Sequence, residues 1–355
     1  MFTHEQVAFG HDERTGLRAI VAIHSSALGP ALGGCRMRPY ADESEMIADA
    51  LRLSEAMSYK NALAGLEHGG GKAVIWADPA TDKTPDLFHA MGDFIATLGG
   101  RYITAGDVGT TVADLDLIYE TNPWTTGRSP ERGGSGDTGI LTAYGIQQAM
   151  RAVARHHWGS DSLEGRTVGI AGAGKVGRRL AAHLVTEEGA RVLITDPSAA
   201  ALASIEVPVT VVGSTEELLA QPMDIYSPNA LGHALTPAVA ASLQAEVICG
   251  AANNQLATPE VGAQLADRGI LYAPDYLVNC GGVVQAAEEV VPGGFDMERA
   301  RARVADVYET TLRVLERAVS EGLRPEQAAA RAAEDLIAAG GPAFGRFDVR
   351  QPPTS

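Results

Sequence analysis

Residues 167–177 read Thr167-Val168-Gly169-Ile170-Ala171-Gly172-Ala173-Gly174-Lys175-Val176-Gly177. A short apolar run enters a Gly-x-Gly-x-x-Gly turn, and a helix-forming stretch leaves it from Arg178. Alone, that glycine spacing is weak evidence. Here it stands between strand and helix, and Asp196 closes the next apolar run, nineteen residues past Gly177. The three glycines differ in role. The first makes the tight turn, the second lets the backbone approach a pyrophosphate, and the third lets helix and strand pack closely. The helix N-terminus stabilises the phosphate charge. Gly172, Ala173, Gly174, Lys175, Val176 and Gly177 are therefore expected to contact a dinucleotide. Asp196 would accept hydrogen bonds from the adenine-side ribose and repel a 2′-phosphate, which favours NAD over NADP.

Downstream, apolar runs at 191–195, 207–212, 224–227, 246–249 and 270–273 alternate with helical stretches, as in a doubly wound parallel sheet. Upstream the pattern is mixed. Residues 17–24 read as a strand, Asp42-x-x-Glu45 as a capping box opening a helix, and 72–76 as a short strand. Thr84-Pro85 opens a helix to about Leu98, and 101–104 is another strand. Glycine-rich 128–139 is the expected linker or hinge, with a helix over 138–156 beyond it. The fold expected is α/β: an N-terminal mixed α/β substrate and oligomerisation domain over 1–136, and a Rossmann-type doubly wound NAD-binding domain over 137–295, with a cleft between them. Helices over 296–340 are expected to pack back on the first domain, leaving 341–355 as a poorly ordered tail.

A length of 355 residues suits two domains, and 45% hydrophobic residues can fill their cores. A formal net charge of −16 argues against nucleic-acid and anionic-membrane partners. Cys35, Cys249 and Cys280 are odd in number and widely spaced, which fits a reducing cytoplasm and no zinc site. Met1 to Gly10 lacks the apolar core of a signal peptide, and no run is long enough to span a bilayer. No metal is expected.

The chemistry-bearing candidates lie in the first domain. Lys60 and Lys72 are twelve residues apart, and Gly69-Gly70-Gly71 directly precedes Lys72. Such glycines permit close approach of the backbone to a ligand or tight packing. Two lysines at one site raise the local positive potential, so one can hold a carboxylate while the other serves as acid–base. Read singly, Lys60 is a solvated surface charge, while for Lys72 the glycines before it and the apolar strand after it balance that reading against a functional one. Asp107, in Thr104-Ala-Gly-Asp-Val-Gly-Thr110, suits an ammonium partner or an Asx-turn.

Together these segments resemble the glutamate/leucine/phenylalanine/valine dehydrogenase family. The likeness rests on Gly29-Pro-Ala-Leu-Gly-Gly34, Ser58-Tyr-Lys-Asn-Ala-Leu-Ala-Gly65, Gly69-Gly-Gly-Lys-Ala-Val-Ile75, Thr104-Ala-Gly-Asp-Val-Gly-Thr-Thr111, Gly250-Ala-Ala-Asn-Asn-Gln255 and Tyr272-Ala-Pro-Asp-Tyr-Leu-Val-Asn-Cys-Gly-Gly282. It is strongest toward the family's valine- and leucine-specific members. The resemblance implies that Lys72 activates the water that attacks an imine, and that Asp107 handles the amine proton. Lys60 would pair with the substrate carboxylate, helped by Gly33, Gly34 and Asn279. Thr138, Thr142, Ala251, Ala252, Asn253, Leu277 and Val278 would contact the cofactor. The family forms homo-oligomers, dimer and octamer both being open, and a strand such as 17–24 is expected to pair across the dimer.

By the same resemblance the substrate side chain meets Leu32, Ala105, Val283 and Ala286. All are apolar, so a glutamate side chain would be buried unpaired. The expected reaction is reversible NAD-dependent oxidative deamination of an apolar L-amino acid, with valine, leucine and isoleucine first. Ala286 stands where leucine-specific relatives carry valine, which keeps an aromatic substrate as the alternative. A non-catalytic NAD-binding sensor is the alternative from another class, and it predicts decay at Lys60, Lys72 or Asp107, all of which are intact. Asn229 and His233 depart from the usual cysteine and glycine, and Cys280 from the usual alanine.

Overall fold

A computed structural model describes residues 3–341. The tail expected over 341–355 lies, apart from Gly341, outside the described residues. The chain divides into two compact units. The first takes the chain up to Thr138, then Val283–Ala300 and the chain from Ala333; the second takes Gly139–Gly282 and Arg301–Ala332.

The first unit is built from β1 (Gln6–Asp12), β2 (Leu17–Ser25), β3 (Ala31–Arg38), α1 (Glu43–Leu63), β4 (Gly69–Trp76), α2 (Pro85–Ala96), β5 (Tyr102–Gly106) and α3 (Val112–Thr121). Its sheet runs β1-β2-β4-β3-β5, antiparallel across β1, β2 and β4 and parallel across β4, β3 and β5. Both faces are covered, each by one set of the alternating side chains. Val21, Cys35, Met37, Ala73 and Ile75 pack on Phe88, Met91 and Ile95 of α2 and on Leu115 and Ile118 of α3. Ile20, Ala22 and Val74, on the opposite face, meet Met46 and Ala50 of α1.

The helix starts follow local chemistry. Asp42 Oδ1 accepts from the N–H of Glu45 at 2.9 Å, but Glu45 reaches back to the N–H of Ala41 instead of closing the expected box on Asp42. Thr84 Oγ1 accepts from the N–H of Leu87 ahead of α2. A true capping box opens α3 instead, between Thr111 and Asp114. The strand expected to pair across a dimer, 17–24, is corrected: β2 is already hydrogen-bonded to β1 on one side and β4 on the other. The open edge belongs to β1, because a bridge between Thr104 and Thr125 covers the outer side of β5.

In the second unit and the C-terminal part of the chain follow α4 (Gly139–Trp158), β6 (Thr167–Ala171), α5 (Gly177–Thr186), β7 (Arg191–Thr195), α6 (Ala199–Ala203), β8 (Thr210–Val211), α7 (Thr215–Leu219), β9 (Met223–Pro228), α8 (Pro237–Ser242), β10 (Ala245–Ile248), α9 (Pro259–Asp267), β11 (Leu271–Tyr272), α10 (Asp275–Val278), α11 (Gly281–Ala287), α12 (Met297–Ala305), α13 (Val307–Glu321) and α14 (Pro325–Ala339). The six strands are all parallel, in the order β11-β10-β9-β6-β7-β8. Strand order reverses between β6 and β9, the place where open α/β sheets bind ligands beyond the strands' carboxyl ends.

The unit limits differ from the expected 137–295 and 296–340. Most of the C-terminal helical stretch stays with the second unit, where α13 packs along α4. Its two ends join the first, and at the later one the Tyr59 hydroxyl donates to Glu334 Oε1 at 3.1 Å. Residues 283–300 also belong to the first unit. There the buried Glu289 carboxylate accepts from the N–H groups of Gly127 and Ser135, the Ser135 hydroxyl and Arg128 Nε, and Gln285 donates to the carbonyls of Ser135 and Asp137. The glycine-rich stretch expected as a linker over 128–139 is thus fastened into the first unit up to Thr138.

Candidate active site

The turn after β6 has the form its glycines predict. Gly172 has φ of 110°, a conformation that favours glycine. A Cβ on Gly174 would meet nothing within 4 Å, whereas one on Gly177 would lie 1.9 Å from the Gly172 carbonyl oxygen. The middle glycine therefore borders open space ahead of α5, and the last is required by packing. Asp196 directly follows β7, and its carboxylate accepts from the N–H groups of Ala173 at 2.7 Å and Ser198 at 2.8 Å. It faces the turn from the strand beside it. An open middle glycine, a helix start and an adjacent carboxylate fit a dinucleotide's pyrophosphate and ribose.

The loop after β9 lies against this turn, with Ala230 Cβ 3.0 Å from where a Gly172 Cβ would be. Asn229 fixes it: its N–H donates to the carbonyl of Ala171, and its Oδ1 accepts from the N–H of Ala251. Asn279, which follows α10, donates to the carbonyl of Ala251 at 3.0 Å and to Asn253 Oδ1 at 2.8 Å. The N–H of Ala252 donates to the carbonyl of Pro228. Leu277 and Val278 are buried on α10. These contacts gather Ala251, Ala252, Asn253 and Asn279 at the carboxyl ends of β9 and β10. Thr142 lies in the first turn of α4, while Thr138 is the last residue of the first unit's opening segment. His233 has φ of 58°, in the left-handed region.

The acid–base candidates stand together in the first unit. Lys72, 5% exposed, projects from β4, and its Nζ is 2.9 Å from Asp107 Oδ2. Asp107 follows β5 in a loop pinned to β3: its N–H donates to Thr110 Oγ1, which donates to the carbonyl of Cys35. Burial opposes ionisation of Asp107, but the Lys72 and Arg36 cations prevail and hold its carboxyl well below the usual carboxylate range. Arg36 Nε donates to the same Oδ2 at 2.9 Å. The Asx-turn alternative for Asp107 gives way to this ion pair.

The triple glycine is explained by packing. A Cβ on Gly69 would lie 2.0 Å from the Ser25 carbonyl oxygen, on Gly70 2.0 Å from the Ser58 nitrogen, and on Gly71 2.7 Å from the Tyr102 ring. At Gly70 the backbone of α1 therefore rests directly on β4. Lys60 on α1 and Lys72 on β4 each lie two residues in sequence past that crossing. Gly33 and Gly34 are on β3, which pairs with β4, and the Tyr102 hydroxyl donates to the Gly33 carbonyl at 2.7 Å. Leu32 on β3 and Ala105 on β5 are buried and share a face, because Leu32 pairs with Ile103 and Gly34 with Ala105. Val283 and Ala286, on α11, belong to the same unit.

Sequence reasoning missed Arg36. It lies on the solvent-shielded face of β3 between fully buried Cys35 and Met37. A charge between two core residues was the signal, since a buried guanidinium needs an anion.

Three sequence families match the chain: "Glu/Leu/Phe/Val dehydrogenase, dimerisation domain" over residues 3–123, "Glutamate/Leucine/Phenylalanine/Valine dehydrogenase" over 200–339, and "D-isomer specific 2-hydroxyacid dehydrogenase, NAD binding domain" over 140–235. Valine dehydrogenase of Streptomyces albus is 54% identical over 339 residues, 94% of this chain and 92% of that one. Leucine dehydrogenase of Bacillus subtilis is 45% identical, over 95% and 92%. The crystal structure of L-tryptophan dehydrogenase from Nostoc punctiforme superposes with a TM-score of 0.81 at 37% identity, covering 95% of this chain and 96% of that one. The chain belongs to the Glu/Leu/Phe/Val dehydrogenase family.

Proposed function

We propose that this protein catalyses reversible, NAD-dependent oxidative deamination of a branched-chain L-amino acid (valine, leucine or isoleucine) to its 2-oxo acid and ammonia. The observation that carries this is the buried Lys72–Asp107 pair at 2.9 Å, in a chain whose second unit has a glycine turn and ribose carboxylate suited to NAD. When bound, NAD supplies the acceptor for the hydride that leaves the substrate α-carbon.

The chain's own residues do the rest. Lys60 and the backbone at Gly33 and Gly34 hold the substrate carboxylate. Asp107 takes a proton from the substrate ammonium, freeing the nitrogen lone pair that expels the hydride. Lys72, as the acid–base, then takes a proton from a water as the water oxygen bonds to the iminium carbon. Asp107 then passes its proton to the nitrogen of the resulting carbinolamine, and as the carbon–nitrogen bond breaks the hydroxyl proton passes to the Asp107 carboxylate. Oxo acid and ammonia leave, and one water has been consumed. Exclusion of bulk water strengthens each of these charge interactions.

Leu32, Ala105, Val283 and Ala286 offer no cation to a substrate side chain, which argues against glutamate. Apolar pockets discriminate by only about 1–3 kcal/mol per methylene, so activity spreads over neighbouring aliphatic substrates. The likeness to L-tryptophan dehydrogenase and the small Ala286 favour an aromatic substrate as the second reading. Comparing kcat/KM for Val, Leu, Ile, Phe and Trp with NAD separates them. A preference for Phe or Trp moves the assignment to the second reading, and no turnover of any while NAD binds returns it to a sensor.

The first-unit family is described by dimerisation, and β1 supports self-association through its open edge, beside which Phe9 is 65% exposed. Antiparallel pairing of two β1 strands about a two-fold axis would close that edge. Among the described residues no helix is long and apolar enough to cross a membrane. Three buried, unbridged cysteines support a cytoplasmic location.

A further inference from the structure

Arg36 has no part in the chemistry assigned above, yet its guanidinium spans two buried carboxylates. Nε donates to Asp107 Oδ2 at 2.9 Å and Nη1 to Asp49 Oδ2 at 3.1 Å. Asp49, on α1, is fixed in turn by the Tyr40 hydroxyl at 2.8 Å and by Arg52 Nη2 at 2.7 Å. The side chains of Arg36, Asp49 and Asp107 are 12%, 9% and 13% exposed, so each bond is made largely out of water. A planar fork held at both ends cannot turn without losing a charge-assisted bond. Asp107 Oδ2 is thereby shared between Arg36 and Lys72, each at 2.9 Å.

We propose that Arg36, anchored on α1 by Asp49, is a positioning residue that sets the orientation and charge of Asp107 and so the geometry of the Lys72–Asp107 pair. The inference rests on the proposed deamination. It ties α1, which also carries Lys60, to the loop carrying Asp107. The substrate's carboxylate partner and its amine partner are then held in one frame.

Charged and titratable groups act on Asp107 from three strands: Lys72 from β4, Arg36 and the Cys35 thiol from β3, and the Tyr102 hydroxyl from β5; Asp49 and Arg52 of α1 act through Arg36. Removing one cation raises the proton affinity of the Lys72–Asp107 pair, whichever member the pH profile reports. The acid limb of kcat must then move to higher pH.

The test compares the full-length parent with Arg36→Met and Arg36→Lys, using L-valine and NAD across pH, alongside thermal melting and NAD binding. Arg36→Met is expected to lower kcat by about ten- to a hundredfold with little change in KM for NAD. Its acid limb should rise by about one pH unit. Arg36→Lys keeps the charge but cannot bridge both carboxylates, so its limb should return toward the parent's while kcat stays reduced by about threefold or more. An Arg36→Met variant that melts and binds NAD like the parent, with kcat unchanged, overturns the proposal. So does a fall in kcat with the limb unmoved, which marks a merely structural role. Should Arg36→Met fail to fold, Arg36→Gln takes its place under the same criteria: a reduced kcat with a raised acid limb upholds the proposal, and an unchanged kcat or an unmoved limb overturns it. A parent inactive on every amino acid is a different failure, that of the deamination reading itself, and this proposal falls with it.

Discussion

Lys72 Nζ lies 2.9 Å from Asp107 Oδ2, with side-chain exposures of 6% and 13%. A close pair shielded from water is strongly coupled, and removing one member leaves the other charge buried. Burial alone would raise the Asp107 pKa, but Lys72 and Arg36 lower it. A carboxyl whose folded pKa is depressed contributes stability above its unfolded value, near pH 4, and loses it as pH falls through the folded value. Asp107→Asn should therefore cost about 3 kcal/mol at neutral pH. In melting curves taken from pH 7 to pH 3, its gap to the parent should shrink below about pH 4. A gap that stays constant with pH would show that Asp107 is not held ionised by its neighbours.

The three glycines of the turn should separate by function. Gly177→Ala puts a methyl 1.9 Å from the Gly172 carbonyl and should lower the melting temperature. Gly174→Ala adds its methyl to open space, so melting should be unchanged while NAD affinity falls by about tenfold or more. Equal loss of stability in both variants would remove the distinction between packing and ligand approach.

Asp196 should govern the choice of dinucleotide. Replacing it with alanine removes charge-assisted bonds worth about 1.5–3 kcal/mol, so kcat/KM for NAD should fall about ten- to a hundredfold. The relative rate with NADP should rise. If the ratio of the two cofactors is unmoved, Asp196 serves only to hold the N–H groups of Ala173 and Ser198.

Glu289 gathers four donors from the 127–135 loop. Breaking such a buried network by Glu289→Ala should destabilise the protein by about 3–5 kcal/mol. Limited proteolysis should then cut within 127–137, a stretch the parent protects. Protection that persists in the variant would mean the loop is held by other contacts.

Much of this was legible in the sequence for identifiable reasons. The β6 turn and α5 were marked by a motif whose residue types are each required, and α2 by a threonine cap with proline behind it. The strand β3 was not, because Gly33, Gly34, Arg36 and Arg38 disguise its alternation, although every second residue still packs on α2 or α1. The edge strand β1 alternates, but half-exposed residues give it a weak apolar signal. The placement of α13 was hidden because an amphipathic helix shows that it is covered and not by what. Lys72 and Asp107 were found, but Arg36, two residues past Gly34, was missed, since its two partners come from segments 13 and 71 residues away. Likewise Glu289 was silent, because nothing local says that a carboxylate will meet backbone donors over 150 residues distant.

The central claim is that Lys72 works as acid–base in an NAD-linked deamination. The most direct test is NADH formation from L-valine and NAD by the parent and by Lys72→Ala, with NAD binding measured on both. Turnover by the parent, loss of at least about a hundredfold in the variant and NAD binding alike in the two are expected. Turnover retained by Lys72→Ala would contradict the claim.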